Sequence, residues 1–311
     1  MARFRLPRPG ALDWTTWRPR LGYGAFALLA FALALRWTFP SGAVRERLVA
    51  EAAARGLAVE IQEIGPGGGL LGLTARGITV DDGTGLKFPV DAVTGSLRLW
   101  PLLAGKRSVA FDAALWDGEV SGVADLSGDE RRLELELSGL DLARALPLRR
   151  ASGLDLVGKL SGEADLVLPA TPQGRIAGRA ELRVAGAGAT GGTVPVPGME
   201  GGLPVPKLAL GELVAQTRID QGKATFQRFE TKGGDLELTT EDLFVVLQPR
   251  LKDSPISGRA RLRVRDAFWT QSGMQGLRSI AEAAMANARS GEGYAYQVSG
   301  SLARPQARPA R

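Results

Sequence analysis

Apolar and polar residues alternate with a period of two along most of this chain. The alternation starts only after one unbroken apolar block. From Leu57, LAVEIQEI sets Leu57, Val59 and Ile61 against Ala58, Glu60 and Gln62. Further on, Leu133, Leu135 and Leu137 alternate with Glu134, Glu136 and Ser138. Leu166 and Leu168 alternate with Asp165 and Val167, and Ala260, Leu262 and Val264 with Arg259, Arg261, Arg263 and Arg265. Successive side chains of a strand point to opposite faces, so the pattern predicts strands with one apolar and one polar face. Leu133, Leu135, Leu137, Leu166, Leu168, Leu262 and Val264 form the candidate apolar face. Such a face is buried either in a core, against a second sheet or helix, or beneath a bound acyl chain.

Turn signals separate the strands. They include Gly65-Pro66-Gly67-Gly68-Gly69, the Asp-Gly chemistry of Asp81-Asp82-Gly83, and Asp220-Gln221-Gly222 between ELVAQTRID and KATFQRFET. Residues 186–206 are dominated by Gly and Pro and are expected to be a linker or long loop. They divide a first β-rich part, 57–185, from a second, 207–302. Residues 303–311, with Pro305 and Pro309, are expected to be a disordered tail. Two stretches change period. In 40–56, Val44, Leu48, Val49 and Ala52 fall on one helical stripe, which lies against lipid or caps the end of a sheet. Near 272–290, Met274, Leu277, Ile280, Ala281, Ala284 and Met285 form another stripe. The fold class is therefore mainly β, an antiparallel twisted sheet with few helices.

The apolar block is LGYGAFALLAFALAL, Leu21 to Leu35, followed by Arg36, Trp37, Thr38 and Phe39. As a helix, residues 21–39 would be roughly 28 Å long, close to a hydrocarbon core of ~30 Å. Before it, residues 1–20 carry Arg3, Arg5, Arg8, Arg18 and Arg20 against Asp13. The positive flank places the N-terminus in the cytoplasm and the rest outside. The rival is a cleaved signal peptide, but the run ends in Arg-Trp-Thr-Phe-Pro, without a convincing Ala-x-Ala site.

Charge adds little to this picture. The arm holds +4 of the chain's +6, so the body is nearly neutral and lacks the concentrated basic face of a nucleic-acid binder. His and Cys are both absent. That removes imidazole bases, Ser-His-Asp triads, thiolate nucleophiles and the usual zinc sites. The remaining carboxylates, Glu134, Glu136, Asp235 and Glu237, alternate with Leu as a solvated sheet face does. The expectation is a protein without catalytic, cofactor or metal residues.

The element order carries a resemblance. A basic arm leads into a span ending in Phe39-Pro40. A helix follows, then LAVEIQEIGPGGGLLGLTARGITV, then LRLWPLLAGKRSVAFDAALWDGEVSG with its Leu102-Leu103-Ala104-Gly105 segment. SPISGRARLRV precedes a helix and the closing YQVSGSLARPQARP, with Gly300-Ser301-Leu302 and Pro305. Over most of 37–308 the chain resembles the type II secretion system protein N family, in its β-rich AsmA-like form. The resemblance implies a single-pass bacterial inner-membrane protein with its bulk in the periplasm, an accessory component contacting other secretion proteins. The alternative it implies is an AsmA-like groove that binds or transfers phospholipid.

Overall fold

The computed structural model describes residues 37–54, 57–67, 72–81, 87–98, 101–102, 104–128, 130–169, 174–194, 203–248, 250, 253–270 and 278–310, with scattered residues between 23 and 34. Helix α1 (Ser41–Ala54) is followed by β1 (Ala58–Pro66), β2 (Gly72–Asp81), β3 (Lys87–Leu97), β4 (Ser108–Leu115), β5 (Gly118–Asp125) and β6 (Glu130–Asp141). A 3-10 turn at Leu142–Arg144 and α2 (Leu146–Ser152) lead to β7 (Leu154–Pro169), β8 (Ala177–Val194), β9 (Leu203–Val205), β10 (Leu208–Asp220), β11 (Lys223–Gly233), β12 (Leu236–Val246) and β13 (Ile256–Val264). After α3 (Asp266–Trp269) and α4 (Arg278–Met285) come β14 (Arg289–Ser290), β15 (Gly293–Ser301) and β16 (Arg304–Pro309).

All sixteen strands among the described residues belong to one antiparallel sheet, in the order β1-β2-β3-β4-β5-β6-β7-β8-β10-β11-β12-β13-β15-β14. Strand β9 pairs with β8, and β16 with β15. The order nearly repeats the chain order because tight hairpins join the neighbours. Trp116 and Asp117 between β4 and β5 both have positive φ, 50° and 57°, as a two-residue hairpin requires.

No second sheet is present among the described residues, and this sets the energetics. Among the described residues the buried apolar side chains are few, among them Ile64, Leu140, Val184, Ala215, Ala224, Leu243 and Val245. Bulges place some of them. In β6 the register shifts between Leu137 and Leu140 beside Gly139 at φ 65°. One residue is passed over, so Leu137 and Leu140 end on the same face. Without the bulge, Leu140 would point into the charges.

Three expectations change. Residues 186–206 do not divide the chain. Strand β8 runs through Val194 and pairs with β7 on one side and β10 on the other, so a single sheet crosses the expected boundary. Gly186, at φ 64°, supplies the left-handed backbone where the register shifts; residues 195–202 lie outside the described residues. Residues 304–309 are strand β16 and not a disordered tail. Proline lacks an N–H, but an edge strand can spare one. Of the helix expected near 272–290, Arg278–Met285 is α4, and Met274 and Leu277 lie outside the described residues.

Nine of the nineteen residues of the apolar block 21–39 also lie outside the described residues. Of the described members, Tyr23, Phe26, Phe31 and Trp37 are helical and exposed, and Phe39 is half-buried outside the helix. Among the described residues no helix is long and apolar enough to cross a membrane. Helix α1 lies against β1, with Val44, Val49 and Ala52 half-buried and Leu48 exposed.

Candidate functional site

Strand register brings the seven predicted residues onto one face. Leu133 stands opposite Leu166, Leu135 opposite Ala164, Leu137 opposite Gly162, and Leu168 opposite Arg131. Alternation and register carry that face across β8 and β10 through Leu182 and Leu213. On β12 and β13, Leu238 faces Leu262 and Leu236 faces Val264. The two predicted groups, on β6–β7 and on β13, are thus parts of one continuous apolar surface. Five strand steps from β7 to β13 separate them by roughly 24 Å. All seven are half-buried, flanked by neighbours on the same face.

Sequence reading missed the aromatic residues on this face. Phe111 of β4 lies over Gly122 of β5, where an added Cβ would come within 2.7 Å of the ring. Phe226 and Phe229 meet edge to face, with centroids 5.7 Å apart, across a bulge in β11. The bulge hid them, since their spacing of three does not fit a period of two. Tyr294 and Tyr296 stand opposite Leu262 and Ala260. Burial pushes the Tyr296 phenol upward, helped by neighbouring Tyr294. Their signal was visible in YAYQV.

The other face is charged. Its ion pairs run along strands, Arg183 with Glu181 at 2.7 Å, Lys232 with Glu230 at 2.8 Å and Arg228 with the same Glu230, and across them, Arg261 with Glu241 at 3.2 Å. The hydrogen bond from Arg183, then one from Gln216, holds the Glu181 carboxyl below its ordinary range. Lys232 and Arg228 do the same for Glu230. A shallow depression of about 960 Å³ on this face is lined by Glu134, Glu136, Glu163, Glu181, Arg183 and Ser121. Of the four predicted solvated carboxylates, Glu134 and Glu136 are exposed on this face; Glu237 is half-buried and binds Arg265, and Asp235 sits half-buried just before β12, where it accepts a hydrogen bond from the Ala209 N–H. Among the described residues no group of acids is placed to hold a metal ion.

The arrangement offers chemistry of adhesion. One face presents leucines, valines and aromatic rings, and the other presents balanced ion pairs. Comparison with protein-family models, curated proteins and solved structures gives no match.

Proposed function

We propose that this chain is a non-enzymatic accessory component of the type II secretion machine. In this reading residues 21–39 anchor it in the bacterial inner membrane, and the sheet stands in the periplasm. There it offers its apolar face to another component of the machine. One observation carries the reading: an apolar face spans the sheet from β4 to β15, and its seven predicted residues remain only half-buried by the chain itself. An exposed apolar surface of that extent marks a place where something docks. The element order, with a basic arm, an apolar block, a helix and a β meander, supports the choice of machine.

The test is site-specific photo-crosslinking from Leu135 and Leu238 in secreting cells, with the arm and apolar block intact. A crosslink to a secretion component, together with loss of secretion when the chain is deleted, is the expected result. Normal secretion without the chain would overturn the reading.

A second reading has its own support. The same face is lined by Leu, Val, Phe and Tyr side chains without a fixed polar group among the seven predicted positions, which suits an acyl chain. Mass spectrometry of the purified chain decides between them. Stoichiometric phospholipid, lost on Leu135→Asp, favours the lipid groove.

A further inference from the structure

Folding of the last residues into β16 assembles a cationic platform. Arg259 of β13 stands opposite Gln297 of β15, and Gln297 stands opposite Arg308 of β16. Two strand steps put the Arg259 and Arg308 backbones about 10 Å apart on the charged face. Arg304 lies on the same side of β16, four residues from Arg308 and so roughly 13 Å along the strand. All three are exposed, and none forms an ion pair among the described residues. Their neighbours on β13 differ. Arg261 pairs with Glu241 at 3.2 Å and Arg263 with Glu292 at 2.8 Å.

Two features narrow what these three arginines meet. Strand β16 is the outer edge here, and Pro305 and Pro309 remove N–H donors from it. A partner strand is therefore a poor fit, and contact has to run through guanidinium groups. Secondly, the three charges are spread over a surface and do not converge on one point. They cannot close on a single small anion, but they match a plane of many anionic groups. The middle of the same face carries Glu134, Glu136, Glu163 and Asp165. Those carboxylates repel such a plane, which favours approach by the β13–β16 end over approach by the middle of the face.

We propose that Arg259, Arg304 and Arg308 dock the β13–β16 end of the sheet onto an anionic phospholipid bilayer. This contact is separate from the N-terminal apolar block and from the apolar face. Arginines near an anionic membrane each contribute roughly fivefold in affinity, so the three together contribute about a hundredfold. The attraction weakens as salt rises.

The test uses the full chain in phosphatidylcholine nanodiscs, which occupy its apolar block. Nanodiscs are held on a sensor, and vesicles pass over them. One set is pure phosphatidylcholine; the other is seven parts phosphatidylcholine to three parts phosphatidylglycerol. Capture of the anionic vesicles alone, reversed by salt, is expected. Joint substitution Arg259→Gln, Arg304→Gln and Arg308→Gln should weaken capture about a hundredfold, with the circular dichroism of the sheet unchanged. Arg218→Gln, elsewhere on the charged face, should leave capture intact. Equal capture of neutral vesicles, no capture of anionic ones, or an equal loss on Arg218→Gln would overturn the proposal.

Discussion

Glu136 of β6 stands directly across from Glu163 of β7 on the charged face. Glu163 in turn faces Glu181 of β8. Three carboxylates thus form one row across three adjacent strands, and like charges placed directly opposite destabilise a sheet. Among the described residues, Arg183 forms its ion pair with Glu181 alone. Replacing the central member, Glu163→Lys, turns two repulsive pairs into attractive ones. Stability should rise by about 0.5–1 kcal/mol, read from the denaturant midpoint. A lower midpoint would mean that the row is held by contacts other than charge.

Two leucines on the apolar face should respond differently. Leu140 is 1% exposed beside the β6 bulge, so Leu140→Ala leaves a cavity and should cost about 3 kcal/mol. Leu135 is half-buried. Leu135→Asp should therefore cost about 1 kcal/mol and leave a cooperative unfolding transition, because the new charge remains hydrated. Unfolding of the whole sheet by Leu135→Asp would show that the face is covered.

Stability should also fall in acid, in part through Glu230. Its folded carboxyl titrates below the ordinary 4.5, because Lys232 and then Arg228 hydrogen-bond the charged form. A depressed folded value stabilises the fold above the unfolded value. That contribution disappears as pH drops through the folded one. Glu230→Gln should cost about 1 kcal/mol at neutral pH and nothing once acid protonates the carboxyl in both states. Paired unfolding curves at the two pH values measure the difference.

Topology can be checked directly. A reporter active only outside the cytoplasm, fused after Arg311, should be active. The mature chain should keep the mass of residues 1–39. An inactive reporter would reject the orientation, and loss of the first residues would reject the anchor.

The strands on either side of a hairpin were legible because their period is two and their turns are marked. LELEL in β6 and RARLRVR in β13 announced both faces correctly. The Gln221-Gly222 turn, with φ of 48° and 76°, joins β10 to β11 where the sequence marks it. Glycine and proline misled where they serve the sheet. In β8 they allow register shifts inside a strand, and in β16 they sit on an edge. The row of Glu136, Glu163 and Glu181 could not be read in advance. It depends on pairings between residues 27 and 18 positions apart, fixed by bulges such as that beside Gly139. The same holds for the cationic platform, which exists only because Arg308 pairs across from Gln297.

The neighbour-by-neighbour strand order has a kinetic consequence. Nearly every strand finds its partner in the segment made just before or just after it. Ordering can start at any hairpin and spread outward one rung at a time, as in repeat proteins. Local pairing of this kind carries a low entropic cost of loop closure. A chain that emerges through a narrow exit, amino end first, could add each rung as it appears, without waiting for its far end. Truncation from Arg311 inward should accordingly peel the ladder strand by strand, with the remaining rungs keeping their pairing.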